Sequence, residues 1–114
     1  MMKDFIKVMK ALSDPNRVKI LKMLQHRNMC VCELQTALGI AQPTVSKHLK
    51  ILEEAGLVTF EKDGLWVNYK IINNGNPYAS IILSHLNKWL EDDPQISELI
   101  MKLPHISKEQ ICRK

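Results

Sequence analysis

The sequence predicts a mainly α domain with one small β-hairpin, in the order α-α-α-α-β-β-α. Three observations lead there. Apolar residues recur at helical spacing in successive stretches before residue 53 and again after residue 77. Two of those stretches are separated only by a short break containing Gly39. Strand-like runs at 57–62 and 66–72 then flank Asp63-Gly64, a hairpin signal. Two helices about a short glycine turn, followed by a hairpin, make a winged helix-turn-helix.

Each element has a local reason. Phe5 to Leu12 carries an apolar stripe of Phe5, Val8, Met9 and Leu12. Asp14 suits an N-cap and Pro15 a first helical residue, so a second helix should run to about His26 on Val18, Ile20, Leu21 and Leu24. Cys30 to Leu38 places Val31, Leu34 and Leu38 on one face. Gly39 fits a turn that needs positive φ, and Ile40 follows as a turn hydrophobe. In 41–52 the buried face is Val45, Leu49 and Leu52, and Pro43 is tolerated in the first turn. Ala55-Gly56-Leu57-Val58 ends that helix and begins the hairpin, the wing. Asn73-Asn74-Gly75-Asn76-Pro77 breaks the chain. A long amphipathic helix is expected over 78–91, with Ile81, Ile82, Leu83, Leu86, Trp89 and Leu90 apolar. Asp92-Asp93-Pro94 stops it, Ile96 to Leu103 suits a short helix, and the last ten residues read as frayed. The expected organisation is a winged helix-turn-helix with its dimerisation surfaces over 1–92 and a partly flexible helical tail over 93–114.

Bulk properties set limits. A chain of 114 residues with 46% hydrophobic and 25% charged residues is a single globular domain in size and make-up. Its net charge of +4 suits a polyanionic partner without specifying one. No apolar run approaches the roughly 20 residues that span a bilayer. Met1-Met2-Lys3-Asp4-Phe5 lacks the shape of a signal peptide, so the cytoplasm is the expected place. Three cysteines, an odd number, argue against a disulfide framework and for thiols. A thiol enzyme would want a Cys-x-x-Cys motif or a nucleophile with an orienting base; neither is present, and no enzyme is expected.

The polar side of 41–52 is suited to double-stranded DNA. Gln42, Thr44, Ser46, Lys47, His48 and Lys50 lie largely off the buried face. Lys47, Lys50 and the wing's Lys62 are expected on phosphates, with Gln42, Thr44, Ser46 and His48 at base edges or adjacent backbone. Gln can pair adenine bidentately, and a Thr methyl can touch thymine. A winged helix that bound only another protein would need a less cationic face. The first helix and the 78–91 helix carry more apolar surface than a minimal winged helix buries, which points to a homodimer reading a two-fold operator.

Cys30-Val31-Cys32 opens the third helix. Close thiolates select soft ions. The helix N-terminus is expected to lower thiol pKa. Regular geometry opposes joint ligation, because residues i and i+2 point roughly 200° apart at 3.6 residues per turn. One ion could bridge both sulfurs only if the first turn is open or unwinds, which would make ligand binding a switch. The bland alternative is a pair of small buried hydrophobes.

Ala11-Leu12-Ser13-Asp14-Pro15-Asn16-Arg17-Val18-Lys19-Ile20-Leu21 resembles the opening motif of the ArsR, or arsenic-repressor, family. Ala41-Gln42-Pro43-Thr44-Val45-Ser46-Lys47-His48-Leu49 is similar to its recognition-helix pattern, and Ala55-Gly56-Leu57-Val58 to its helix-to-wing junction. The likeness runs over about residues 3–92. It implies a dimeric winged-helix repressor, joined through its first and last long helices, that leaves DNA on binding a metal or metalloid. Cys30-Val31-Cys32-Glu33-Leu34 is similar to the arsenite-responsive branch and implies Cys30 and Cys32 as ligands. Arsenite or antimonite is then the first-ranked inducer, with cadmium, lead or zinc as alternatives and no permanent cofactor. A thiol-redox regulator ranks second, because a disulfide between residues two apart closes a strained ring; purely structural cysteines are the remaining alternative.

The chain departs from the family's pattern in two places and lacks the ligand set of another group of members. Gly64 is followed by Leu65 and Trp66 where members often have a basic residue, which leaves Lys62 as the wing contact. Gln35 stands where arsenic-binding members often have a further cysteine, so a third ligand would be solvent, a small thiol or Cys112. Members that bind zinc-like ions on the last long helix use Asp, His and Glu; here His85 has no downstream histidine in that helix, with Asp92 and Asp93 at its end. His26 and His105 offer no ligand spacing.

Overall fold

A computed structural model of the chain describes residues 1–107. In chain order the elements are α1 (Met2–Ala11), α2 (Pro15–His26), β1 (Met29–Cys30), α3 (Val31–Leu38), α4 (Gln42–Glu54), β2 (Val58–Asp63), β3 (Trp66–Ile71), α5 (Pro77–Leu86) and α6 (Pro94–Lys102), then a 3-10 turn at Leu103–His105. The expected winged helix-turn-helix is present. α2 starts as its sequence dictates: Asp14 Oδ1 accepts from the amides of Asn16 (2.8 Å) and Arg17 (3.2 Å), and Pro15 opens the first turn. Gly39 ends α3 in the left-handed conformation at φ 69°, with its amide on the Gln35 carbonyl.

The sheet has three antiparallel strands in the order β1-β3-β2. Asp63 faces Trp66 in the β2–β3 register, leaving Gly64 and Leu65 as a two-residue turn with Gly64 at φ 62°. β1 was not expected. It pairs Met29 with Tyr69 and Cys30 with Asn68, and two residues are too short to show a period-2 pattern. Its consequence is that Cys30 is stitched to the wing.

One core unites these elements. Val8, Ile20, Leu21, Met23, Leu34, Val45, Leu49, Leu52, Leu57 and Val58 are fully buried, and Leu83, Leu86, Leu99, Leu103 and Ile106 join them. α6 packs on α2 and α3, so residues 94–106 share this core.

α5 ends at Leu86, five residues before the expected end of the helix at 91. The cause is Lys22, which is buried to 1% exposure. Its ammonium donates to the carbonyls of Leu86 (2.8 Å) and Trp89 (2.9 Å) and pairs with Glu91 at 3.0 Å. Those carbonyls would otherwise be left open where the helix stops. Leu90 then turns the chain at φ 66°, and Trp89 and Leu90 lie half exposed. No helix among the described residues is long and apolar enough to cross a membrane.

Candidate functional site

α4 is seated by Val45, Leu49 and Leu52 and presents the rest of its surface. Gln42, Thr44, Ser46, Lys47 and Lys50 are exposed, with Gln42 at the first helical position. A helix N-terminus of this kind is the part that enters a major groove. Lys62 is exposed on β2, and Leu65 caps the wing at 73% exposure. Lys70, also on the wing, is paired with Glu61.

His48 stands apart from these residues. Its side chain is only 12% exposed, and its Nδ1 lies 3.2 Å from Arg17 Nη1. An arginine can only donate, so Nδ1 accepts and the ring proton sits on Nε2, which faces Asp14 Oδ1 at 3.9 Å. The same guanidinium donates to the carbonyls of Ala11 (2.8 Å) and Lys10 (3.1 Å). Arg17 thereby fastens the recognition helix to the junction of α1 and α2. Around Asp14, partial burial pushes the carboxyl upward. The Arg17 and Asn16 amides, with the neighbouring His48 and Arg17 side chains, outweigh it and hold the group below its usual value.

At the start of α3, Cys30 is the N-cap residue, extended at φ −86° and ψ 169°. Only Cys32 is helical, and the regular-helix conflict between i and i+2 therefore does not arise. The two Sγ atoms lie 3.5 Å apart. Bonds of about 2.3 Å from one ion would span about 3.8 Å at a tetrahedral angle, and less at the narrower angle of a pyramidal ion. The separation of the two sulfurs falls in the range that one soft centre would span.

Glu33 holds this geometry. Its Oε1 accepts from the Cys30 amide at 3.0 Å, while its own amide turns back toward the Cys30 sulfur, the reciprocal arrangement of a capping box. Its Oε2 accepts from Arg27 Nη2 at 3.2 Å, and that nitrogen also donates to the Ile106 carbonyl at 2.6 Å. Glu33 is 6% exposed and Cys30 3%. The expected lowering of thiol pKa is reversed at Cys30. Burial pushes this thiol up; the Glu33 amide opposes it, the Glu33 carboxylate adds to the rise, and the thiol stays above its ordinary value.

Among the described residues no group of three or more His, Cys, Asp and Glu is placed to hold a metal ion. Cys112 lies outside the described residues. His85 stacks on Trp89, ring centroids 5.0 Å apart.

The profile described as "Bacterial regulatory protein, arsR family" matches residues 14–59. The arsenical resistance operon repressor of Escherichia coli K12 is 32% identical over 99 residues, spanning 86% of this chain and 83% of that protein. The arsenic resistance transcriptional regulator ArsR1 of Pseudomonas putida is 40% identical over 91 residues, 75% of this chain and 71% of its own.

The chain belongs to the ArsR family. Among solved structures, the transcriptional repressor BigR of Xylella fastidiosa superposes with a TM-score of 0.66 at 25% identity, covering 81% of this chain and 89% of that one. As an ArsR-family winged helix-turn-helix repressor, this chain is a regulator of transcription and not an enzyme. Arg17, Arg27, Glu33 and Lys22 are the residues that sequence reasoning passed over. A signal existed for one of them: Glu33 stands three residues after Cys30, the capping-box spacing. For the others the deciding partners, His48 for Arg17, Ile106 for Arg27 and Leu86 for Lys22, are remote in sequence.

Proposed function

We propose that this chain is a homodimeric repressor that holds operator DNA through α4 and the wing and releases it when a soft metalloid, arsenite or antimonite, bridges Cys30 and Cys32. The observation that carries this reading is the 3.5 Å approach of the two sulfurs on an extended N-cap beside the helix-turn-helix. Lys47, Lys50 and Lys62 take phosphates, and Gln42, Thr44 and Ser46 face base edges. His48 acts from its seat on Arg17, setting the pose of α4. The exposed Phe5 and Ile6 of α1 and Ile81 of α5, with Trp89 and Leu90 just beyond it, supply the dimer face. The cytoplasm, where operator DNA and reduced thiols coexist, is its place.

The route from thiols to DNA runs through two elements. α3 sends Leu34 and Ala37 into the core shared with Val45 and Leu49 of α4. Cys30 also pairs with Asn68 on β3. A ligand that bridges the sulfurs adds bonds at the N-cap, and so bears on both the support of the recognition helix and the set of the wing. Release then requires tighter binding of the ligand to the DNA-free form, as linkage demands.

The test is fluorescence anisotropy of the reduced protein on DNA from upstream of its own gene, with and without arsenite, beside Cys30→Ser/Cys32→Ser. Arsenite should release the wild type and leave the double variant bound. Binding that ignores arsenite in both would remove the metalloid reading, and release by oxidant alone would put the redox version in its place.

A further inference from the structure

We propose that Asn76 is a positioning residue that fixes the angle between the recognition helix α4 and α5, and with it the spacing of the two operator half-sites that the dimer reads. The role rests on the homodimer reading above and adds to it the side chain that sets its geometry.

α4 and α5 are not packed along one another; α1 lies against both. They meet end to end at the base of the wing. α4 closes in a Schellman motif, in which the Gly56 amide donates to the Glu53 carbonyl and the Leu57 amide to the Leu52 carbonyl, each at 3.0 Å. The Ala55 carbonyl is left over, and Asn76 Nδ2 donates to it at 3.0 Å. Across the same carboxamide, Oδ1 accepts from the Ala79 amide at 2.9 Å and caps α5. One side chain thereby closes the C-terminus of α4 and the N-terminus of α5.

The junction has no room to drift. Gly56 stands at φ 80°, and a Cβ there would lie 2.9 Å from Asn76 Nδ2. A Cβ on Gly75 would fall well inside contact distance of the Gly56 carbonyl oxygen. The Ile72 amide donates to the Leu57 carbonyl at 3.0 Å and holds the two segments together. Both Asn76 bonds need a short side chain with a donor and an acceptor on separate atoms. Ser offers a single oxygen, and an ionised Asp has no donor.

Small angles here have large consequences. The 13 residues of α4 span about 20 Å. A swing of about 10° at the Ala55 end moves the Gln42 end by about 3.4 Å, one nucleotide step along a strand. α5 carries Ile81 of the dimer face, so the angle between α5 and α4 converts a dimer into a spacing.

The test starts from the full chain on DNA from upstream of its own gene, with the half-sites located by footprinting. Fluorescence anisotropy then compares duplexes whose spacer is native, one base pair shorter or one longer. Wild type should favour the native spacer. Asn76→Ser keeps the cap on Ala79 and loses the bond to Ala55, so it should melt as wild type does. It should nevertheless lose about three- to tenfold of the spacer preference, the net worth of one hydrogen bond. Asn76→Ala should lose the same preference and melt lower as well, because the cap goes too. Gly75→Ala leaves Asn76 in place and wedges the junction open, and its favoured spacer should shift or broaden. A wild-type spacer profile in Asn76→Ser, or in Gly75→Ala, would overturn the role. Equal binding of all spacers by a wild type that sediments as a dimer would overturn it as well. A wild type that sediments as a monomer on DNA would instead sink the homodimer reading, and this role with it.

Discussion

The two helices of the helix-turn-helix are held in opposite ways. α3 is tied at its start to the sheet through Cys30 and Asn68, to its own first turn through Glu33, and to the C-terminal segment through Arg27. α4 keeps to a single buried stripe of Val45, Leu49 and Leu52, with His48 fastened to Arg17, and leaves Gln42, Thr44, Ser46, Lys47 and Lys50 to solvent. For the ligand site proposed above, many ties mean that a small movement at one residue is felt by several elements. A reading surface gains from few, because its polar groups must be free to change partners from water to DNA.

The largest expected effect tests the seat of α4. Leu49→Ala removes a fully buried side chain and should cost about 2–5 kcal/mol of stability in urea unfolding. A loss well under 1 kcal/mol would show that α4 is not seated by this stripe. Next comes the division of labour along its polar side. Gln42→Ala should cost about 1–3 kcal/mol of discrimination between operator and altered operator. His48→Ala should instead weaken both DNAs alike, because it acts on the pose of the helix. Equal loss of discrimination in both variants would place His48 at a base after all.

A smaller effect concerns the junction beneath His48. Asp14→Ala should cost about 0.5–2 kcal/mol in thermal melts through the lost N-cap. Because the folded carboxyl sits below its ordinary value, its contribution is complete above the unfolded value of about 3.9 and is lost as pH falls through the lower folded value. Asp14→Asn keeps a cap and should flatten that acid limb; an unchanged limb would assign it to other groups. The smallest effect is electrostatic. Lys47→Ala should leave sequence preference intact and lower the salt slope of DNA binding by about 0.9. An unchanged slope would take Lys47 off the phosphates.

Much of the fold was legible because its signals are local. Asp14-Pro15 announced α2, Gly39 the turn, and Asp63-Gly64 the hairpin, each through backbone preferences acting over a few residues. The end of α5 was illegible for the opposite reason. The apolar pattern runs on to Leu90, and only a buried ammonium 64 residues earlier in the chain decides that the helix stops at Leu86. The cysteines were legible as a pair, with bridging tied to an open first turn, and the structure supplies that opening at Cys30. A helix was assumed to include Cys30, and a strand of two residues instead holds it extended.

By itself, then, the sequence determined the order of the helices, the face of α4 that packs, the turn of the wing and the presence of two cysteines at the head of α3. Spacing, caps and turn residues act between near neighbours, and these features need nothing more. Tertiary structure alone decided how close the sulfurs come, that burial rather than the helix terminus governs the Cys30 thiol, and that His48 belongs to Arg17. It also decided that Ile106 returns to Arg27, a contact across 79 residues. Such contacts follow from how the core closes, and no local pattern encodes which distant group will be waiting there.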